Sequence, residues 1–298
     1  MALIHLFRRC NQRCVFCSYP ADAGPQGKAG LGSWLKEISE MPPGLVQLSG
    51  GEPLLADFED LIKVIAFCAR TGRRAELQTN GIAMAGLAPE RLKTLVKALK
   101  ASGGYFNINF PAYNAALDLK ITRTKGAFAG RTKAVKKLLA LGAKVRLTHV
   151  VCSLNYKDTA GFSAFAAEEF NTCVSAVSKH GVPQTAKGLS WLQFSFIKGI
   201  GRAKGPKFIP KYSTAAPYLI KALDLCGRKG VKCDVDHIPP CFLGRHYAKN
   251  VDLVKMLEGR KGPHLEEKEK VPVCKGCEFF TLCPGPRKDY IAAHGALK

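Results

Sequence analysis

The sequence predicts an α/β protein organised around a parallel sheet, with a small cysteine-rich extension at its C-terminal end. Six short apolar runs read as strands, and helical periodicity follows them along the chain. Such strict alternation implies parallel strands joined by right-handed crossovers, and therefore an open sheet or a barrel. The cysteines give the second observation, because seven of the twelve fall into two groups, one near each end of the chain.

The elements can be placed from periodicity and from the residues that flank them. Phe58, Leu61 and Ile65 recur at helical spacing, and Pro111 closes the fourth strand. After residue 209 the pattern changes, so we expect one domain over residues 1–209 and an extension over residues 210–298. The predicted strands are residues 3–8, 45–48, 74–77, 105–110, 144–152 and 189–198, and the predicted helices are residues 33–41, 57–71, 88–102, 126–141 and 163–180, with a further helix at 215–227 and a strand at 231–238 in the extension.

Five local signals follow the ends of predicted strands. In parallel sheets and barrels, ligands bind at the carboxyl ends of the strands. We therefore expect these signals to share one rim and to form one site. They are the cysteine loop at residues 10–17, the turn at 50–53, the segment 79–81, Asn155, and the glycine-containing segment 199–202.

Cys10, Cys14 and Cys17 have the spacing C-x3-C-x2-C directly after the first strand. A tight loop with this spacing can turn three thiolates toward one centre, and thiolates are the ligands of iron–sulfur clusters. Because a [4Fe–4S] cluster takes four ligands, three cysteines would leave one iron open for chemistry. The alternatives are a zinc loop or three buried free cysteines.

Composition limits the class of protein. Forty-five Lys and Arg residues against twenty-three Asp and Glu give a net charge of +22, which favours acidic partners such as RNA, unless the surface is simply basic throughout. No apolar run approaches the roughly 18–20 residues that span a bilayer. The nine residues before Cys10 are too few for a secretion signal. We therefore expect a cytoplasmic protein that makes no membrane contact.

The Cys10-x3-Cys14-x-Phe16-Cys17 loop, followed by Gly50-Gly51-Glu52-Pro53 after the second strand, resembles the radical S-adenosylmethionine (SAM) superfamily. The resemblance implies a partial (β/α)6 parallel barrel in which the three cysteines hold a [4Fe–4S] cluster whose open iron binds SAM. It further implies reductive cleavage of SAM to a 5′-deoxyadenosyl radical, which abstracts a substrate hydrogen. In such enzymes the cofactor does the hard chemistry and the protein positions it.

The resemblance also suggests residues that contact the cofactor, although no catalytic side chain is assigned. Phe16 and Tyr19 are expected near the adenine, and the Gly50–Pro53 turn near the methionine amino group. The remaining candidates are polar residues expected to contact the cofactor or the substrate, and Gly199, whose backbone is expected to meet the adenine. They are Thr79, Asn80, Asn109, Arg123, Arg146, Asn155 and Gly199.

Cys274-x2-Cys277-x5-Cys283-Pro-Gly resembles the end of the SPASM and twitch extensions of the same superfamily. Cys241 would complete four ligands, so the resemblance implies one auxiliary [4Fe–4S] cluster, as in twitch domains. Cys233 could replace Cys241, and a structural zinc site of four cysteines is the alternative. Four ligands leave no iron open, which favours an electron-acceptor or relay role and hence oxidative chemistry.

The leading functional hypothesis is a radical SAM enzyme that oxidatively modifies a peptide or protein. Members of the family that modify peptides often carry an N-terminal domain that binds the leader of the peptide. We expect no room for such a domain before Cys10. A separate partner could therefore hold the substrate. The alternatives are a small-molecule dehydrogenase or rearrangement enzyme and, third, an RNA-modifying enzyme. A cluster-bearing regulatory protein that never cleaves SAM would leave the Gly50–Glu52 turn without a purpose. The resemblance also implies an electron donor such as flavodoxin or ferredoxin.

Overall fold

The computed structural model describes residues 2–22, 24, 30–170, 175–177, 183–185, 188–260 and 262–297. Its strands are β1 (Ala2–His5), β2 (Leu45–Ser49), β3 (Arg74–Thr79), β4 (Tyr105–Asn109), β5 (Val145–Val151), β6 (Ser175–Val177), β7 (Pro183–Thr185), β8 (Trp191–Phe196) and β9 (Cys233–Asp236). Its helices are α1 (Leu31–Glu40), α2 (Phe58–Arg70), α3 (Pro89–Ala101), α4 (Ala115–Thr122), α5 (Ala127–Ala140), α6 (Thr159–Phe170), α7 (Tyr212–Arg228), α8 (Val251–Leu257), α9 (Pro263–Glu266) and α10 (Lys288–His294).

Seven of the strands form one curved sheet in the order β1-β2-β3-β4-β5-β8-β9, and every neighbouring pair is parallel. The strands β6 and β7 form a separate antiparallel pair. The prediction of a parallel α/β sheet arranged as a partial barrel is therefore confirmed. The strand β9 lies beyond the predicted boundary at residue 209, so the sheet continues across that boundary and draws its seventh strand from the extension.

The two faces of the sheet differ in polarity. One face carries apolar side chains such as Leu48, Leu77, Ile108 and Phe194, which are fully buried against the helices. Burial of this apolar surface is the main source of stability for the fold. The other face, which lines the barrel lumen, carries polar side chains at alternating positions. They are Gln47, Glu76, Gln78, Asn107, Asn109, Arg146, Thr148, Gln193 and Asp234.

Six of the helices were predicted, one of them with clearly different bounds, whereas α4, α8, α9 and α10 were not. The short helix α4 was not predicted; Asn114 caps its first turn by accepting from the Leu117 N–H at 2.9 Å. The helix predicted at residues 163–180 instead begins at Thr159 and is described to Phe170, and residues 175–177 form a strand. Residues 171–174 and 178–180 of that prediction lie outside the described residues. Within the part of the chain that is described, no helix is both long and apolar enough to cross a membrane.

Candidate active site

The cysteine loop that follows β1 is held by backbone hydrogen bonds from two distant segments. The Arg13 N–H donates to the Thr122 carbonyl oxygen at the end of α4 at 3.2 Å, and the Arg202 N–H donates to the Cys17 carbonyl oxygen at 3.0 Å. Gly201 has a φ of +61°, and a Cβ atom there would lie 2.4 Å from the Cys17 oxygen. Two neighbouring elements therefore hold the loop in place, and Gly201 makes the close approach on one side possible.

The three thiols of this loop lie within electrostatic reach of one another in a sheltered region. Cys14 is buried, and Cys10 and Cys17 are half-buried. Burial raises the pKa of Cys14 to about 12; Arg131 opposes this rise, and the neighbouring Cys10 and Cys17 add to it. Thiols that are desolvated and repel one another as thiolates are stabilised when a cationic centre replaces their protons. The loop therefore has the chemistry of a metal-binding site.

The spacing of donor atoms indicates which kind of metal centre fits. Thiolates around a single zinc ion lie about 3.8 Å apart, because each Zn–S bond is about 2.3 Å long. Among the described residues, one set of His, Cys, Asp or Glu donors lies within 4.8 Å of one another, and it contains Asp236, His237 and Asp252. Neither cysteine group is so compact. In either group, no three thiols lie as close together as the ligands of a single bound zinc ion.

The Gly50–Pro53 turn packs directly against the backbone that leads into the cysteine loop. The Gly51 N–H donates to the Phe7 carbonyl oxygen at 2.6 Å, and the Glu52 N–H donates to the Arg9 carbonyl oxygen at 2.9 Å. A Cβ atom on Gly51 would lie 1.9 Å from that Arg9 oxygen, and Gly50 has a φ of +121°. The glycines are therefore required for contact with the chain next to Cys10, which is a steric reason that the sequence pattern does not reveal.

Glu52 joins this turn to the end of β3. Its carboxylate, which is 1% exposed, accepts from the Thr79 hydroxyl at 2.6 Å, the Asn80 N–H at 2.7 Å and the Leu54 N–H at 3.1 Å. Burial raises the pKa of Glu52, and these three hydrogen bonds oppose the rise. Both carboxylate oxygens therefore have partners within the protein. The main structural role of Glu52 is to connect two of the predicted rim segments.

Asn80 connects the rim to the cysteine loop. Its Nδ2 atom donates to the Asn11 Oδ1 atom at 2.6 Å and lies 3.9 Å from the Cys10 sulfur. Its carbonyl oxygen accepts from Nε of Arg131 at 3.0 Å, and Arg131 forms an ion pair with Asp118 of α4. Arg131 and Asp118 are both buried, and sequence reasoning missed them because a charged residue on a helix usually faces solvent.

The two residues predicted to contact adenine, Phe16 and Tyr19, lie on either side of Cys17. Phe16 is half-buried and packs against the core, next to Cys17. The ring of Tyr19 stacks on His5 with centroids 4.0 Å apart, and the Arg8 guanidinium lies 3.7 Å from the Tyr19 centroid. Tyr19 therefore already has structural contacts of its own. Stacking of either ring on adenine stays a prediction.

Two of the predicted contact residues form hydrogen bonds or ion pairs within the protein. Asn155 is fully buried, and its side chain bonds only backbone groups: it accepts from the Cys152 N–H at 2.7 Å and donates to the Pro111 and Val150 carbonyl oxygens at 2.9 and 2.8 Å. Arg146, near the start of β5, forms an ion pair with Glu76 far from the rim. Both side chains therefore have partners within the protein, and a contact of either one with the cofactor stays a prediction.

The remaining predicted positions lie at the edges of the site. Arg123 ends α4 with a φ of +55° and is exposed. Gly199 donates its N–H to Oδ2 of Asp289 in α10 at 2.5 Å, which ties the segment after β8 to the extension. Gly201, two residues later, is the glycine that approaches the cysteine loop. A contact between Gly199 and adenine stays a prediction.

Several polar side chains in the lumen form one hydrogen-bonded network around Glu76. This carboxylate is fully buried and accepts from Gln47, Gln78, Tyr105, Asn107 and Arg146. A charged residue in the middle of an apolar strand, Ala75-Glu76-Leu77, was the sequence signal that could have identified it. Every partner comes from a lumen-facing position, so the network lies inside the barrel across β2, β3, β4 and β5.

The part of the lumen nearer the rim keeps polar atoms without partners. Asn109, Thr148, Gln193 and Asp234 occupy one hydrogen-bonded row across β4, β5, β8 and β9. Within the described residues, Oδ1 of Asn109 and Oδ1 of Asp234 are buried and accept no hydrogen bond. Burial raises the pKa of Asp234 to about 6, although Arg146 opposes the rise. Buried acceptors without partners are costly, which marks this row as a place where a ligand donor would fit.

Four cysteines of the extension form a second group. Burial, together with the neighbouring Cys277, Cys283 and Cys274, raises the pKa of Cys241 to about 12, so the four thiols lie close together. Cys233, the considered replacement for Cys241, lies instead in β9 and shares a side-chain hydrogen bond with Cys226. The structure therefore brings together the four predicted residues and leaves Cys233 out.

Buried charges attach this group to the rim. Arg287, which is 3% exposed, forms ion pairs with Glu267 and Asp289, and Glu267 also pairs with Lys198 at the end of β8. Lys198 and Arg287 hold the pKa of Glu267 at about 2 against its burial. Because Asp289 also accepts from Gly199, the extension is bonded to the segment that reaches the first cysteine loop.

Comparison with known proteins begins with a family match. Residues 4–164 match the Radical SAM superfamily, which is more than half of the chain. The chain is 30% identical over 159 residues to PqqA peptide cyclase of Methylocella silvestris, a match that covers 51% of this chain and 40% of the relative. It is 36% identical over 87 residues to 7-carboxy-7-deazaguanine synthase of Hyperthermus butylicus, which covers 28% and 36% respectively. The chain thus spans well under two thirds of these relatives.

Solved structures with the same fold extend the comparison. The chain is similar to anSMEcpe with bound AdoMet, with a TM-score of 0.65 and 15% identity, over 97% of this chain and 85% of that one. It is also similar to Streptococcus suis SuiB bound to the precursor peptide SuiA, with a TM-score of 0.59 and 13% identity, over 78% and 47%. The identities are low, so these structures support the fold alone. With the family match over residues 4–164, they lead to one conclusion: the chain belongs to the radical SAM superfamily.

Proposed function

We propose that this protein is a radical SAM enzyme that modifies a peptide or protein by oxidation. The observation that carries the proposal is the group of three desolvated thiols, Cys10, Cys14 and Cys17, on a loop that the Gly50–Pro53 turn and Asn80 hold at the carboxyl edge of the sheet. A [4Fe–4S] cluster and SAM bound there would supply a 5′-deoxyadenosyl radical that abstracts a substrate hydrogen. Three thiolates leave one iron for SAM.

The protein's own residues give this site its shape. Gly51 and Gly201 allow two turns to approach the cysteine loop closely, and Glu52 fixes the first of these turns to the end of β3. The partnered side chains around Glu76 occupy the lumen toward the beginning of the strands. A substrate that enters from the rim would meet the row that contains Asn109 and Asp234. These two residues would bind and orient the substrate.

Similarity to peptide-modifying proteins supports the substrate class. PqqA peptide cyclase is a relative in sequence, SuiB was solved with its precursor peptide, and anSMEcpe was solved with the Kp18Cys peptide. The anSMEcpe fold covers 97% of this chain, so the similarity includes the extension as well as the barrel. The acceptors without partners on Asn109 and Asp234 would suit hydrogen-bond donors such as peptide N–H groups.

An auxiliary [4Fe–4S] cluster on Cys241, Cys274, Cys277 and Cys283 is the second part of the proposal. These thiols lie close enough together to act on one another electrostatically, which supports a shared metal centre, and a structural zinc site is the alternative. Four thiolates would leave no open iron, which suits an electron acceptor for an oxidised substrate radical. We assign residues 1–209 to the barrel and residues 210–298 to the extension, which also supplies β9. A flavodoxin or ferredoxin would supply the electron that cleaves SAM.

A small-molecule substrate is the second candidate. The observation that favours it is the 36% identity to 7-carboxy-7-deazaguanine synthase, which is higher than the identity to the peptide cyclase but covers only 87 residues. Modification of RNA, suggested by the charge of +22, has no further support from the structure. Candidate peptides encoded next to the gene, incubated with enzyme, SAM and reductant, distinguish these cases. A mass loss of two hydrogens on a peptide supports the first proposal.

Anaerobic reconstitution with iron, sulfide, dithionite and SAM tests the enzyme activity. We expect roughly eight irons per chain and release of 5′-deoxyadenosine. Replacement of Cys10, Cys14 and Cys17 by alanine should leave roughly four irons and abolish 5′-deoxyadenosine formation. A wild-type chain that carries its full iron but yields no 5′-deoxyadenosine would overturn the proposed activity. Four irons with one bound zinc would overturn the auxiliary cluster.

A further inference from the structure

Arg131 of α5 is the largest fully buried side chain that carries a charge, and the proposed function assigns it no role so far. It is 0% exposed and lies 5.2 Å from the centroid of the Phe110 ring. Burying a guanidinium is costly unless its donors find acceptors. Its contacts therefore indicate what this part of the site requires.

The donors of Arg131 reach two segments that flank the cysteine loop. Nε donates to the Asn80 carbonyl oxygen at 3.0 Å, and Nη1 pairs with Oδ2 of Asp118. Asp118 in turn accepts from the Thr122 hydroxyl at 3.0 Å. Asn80 reaches Cys10 through its side chain, and the Thr122 carbonyl accepts from the Arg13 N–H. One buried side chain thus connects the two supports on either side of Cys10 and Cys14.

Arg131 also acts on the cysteine loop through its charge. Its Nε atom bonds the Asn80 carbonyl oxygen, and the Asn80 side chain lies 3.9 Å from the Cys10 sulfur, so the guanidinium charge lies beside the loop. Asp118, which pairs with Arg131, brings the opposite charge to the same region. A third donor, Nη2, has no acceptor among the residues that the structure describes. A buried donor without an acceptor costs free energy. A nearby centre that carries negative charge would offset that cost.

We propose that Arg131 is a positioning residue that sets both the geometry and the reduction potential of the cluster held by Cys10, Cys14 and Cys17. The inference rests on the proposed function, because it requires a cluster at that loop. Net charge and hydrogen bonds around a cluster are what set its potential. A cation beside the cluster stabilises the more negative reduced state. Arg131 raises the potential, and Asp118 lowers it.

The test uses Arg131→Met and Asp118→Asn in the reconstituted full chain. The midpoint potential of the SAM-binding cluster is measured by redox titration with electron paramagnetic resonance, with the auxiliary cluster removed by replacing Cys274, Cys277 and Cys283. We expect R131M to shift the midpoint to more negative values and D118N to shift it to more positive values. R131K keeps the charge, so its midpoint should return toward that of the wild type. If R131M alone loads iron poorly, the midpoint potential is measured on the double variant R131M/D118N in its place.

The matched control is Arg146→Met, which breaks another buried arginine–carboxylate pair in the same barrel, far from the rim. We expect R146M to lower thermal stability and leave the midpoint unchanged. Shifts of the same sign in R131M and D118N, or an equal shift in R146M, would overturn the inference while leaving the enzyme proposal intact. A wild-type chain that binds no cluster at Cys10, Cys14 and Cys17 would refute the proposed function instead.

Discussion

At the scale of single residues, the glycines show how the site differs from its sequence description. The motif predicts that Gly50 and Gly51 let backbone approach the cofactor. In the structure, a Cβ on Gly51 would meet the Arg9 carbonyl oxygen at 1.9 Å, immediately before Cys10. The glycine is therefore needed even when no cofactor is bound, because it determines where the cysteine loop can lie.

Replacement of Gly51 by alanine should displace the first cysteine loop. The added methyl group would clash with a main-chain oxygen that cannot move without moving Cys10, so we expect loss of the SAM-binding cluster and at least tenfold less 5′-deoxyadenosine. Iron analysis and the cleavage assay measure both effects. Gly86→Ala is the matched control, since nothing lies within 4 Å of its Cβ position. Equal iron content in the two variants would contradict this steric account.

At the scale of elements, local pattern identified most strands and helices but not the contacts between them. The strands were predictable because apolar runs bounded by polar turns leave few alternatives, and their parallel order follows from alternation. The helix α4 was missed because its eight residues give a weak periodic signal. The role of α4 in holding the cysteine loop depends on Asp118 and Arg131, which meet only after folding. No local pattern carries that information.

The extension provides a prediction at this scale. Gly285, just after Cys283, has a φ of +96°, and a Cβ atom there would lie 2.1 Å from the Glu269 carbonyl oxygen. Gly285→Ala should therefore distort the second cysteine group, reducing iron from roughly eight to roughly four per chain while 5′-deoxyadenosine formation persists. Gly276→Ala, in the same loop with open space around its Cβ position, is the control. Full iron in G285A, measured by the same assay, would refute this steric account of the second cysteine loop.

At the scale of the whole molecule, the lumen is assembled by strands that are far apart in the sequence. The polar rows could not be predicted, because which residues share a row depends on the register of four strand pairs. Arg146 is an example. Its position along β5 places it beside Glu76 of β3, with which it forms an ion pair, and the sequence alone does not show that neighbour. The rim itself was predictable, since strand ends are visible in the sequence.

Asp234 provides the prediction that belongs to this scale. Its pKa rises from 3.8 to about 6 in the fold, so the folded chain binds this proton more tightly than the unfolded chain. Stability from this group is therefore full below pH 4 and is lost as the pH rises through 6, at a cost of about 3 kcal/mol at most. Asp234→Asn should raise the unfolding midpoint at pH 8 and change it little at pH 4.

The control for that measurement is Asp224→Asn. Hydrogen bonds to Arg245 and His246 lower the pKa of Asp224, so its substitution should reduce stability at pH 8, the opposite sign. Chemical denaturation of the full chain at both pH values measures the effects. An Asp234 variant whose midpoint shifts equally at pH 4 and pH 8 would show that its buried carboxylate carries no such cost. A stability gain at pH 8 would indicate that Asp234 is retained for function.

The sheet that carries this lumen has two ends, β1 and β9, that are not bonded to each other. A closed barrel admits a chain only through its mouth and requires a terminus or a tight loop. An incomplete one can receive an extended segment laid across the rim from the side. Under the proposed function, the modified residue can therefore lie in the middle of a polypeptide, and a cyclic peptide should react as readily as a linear one of the same sequence.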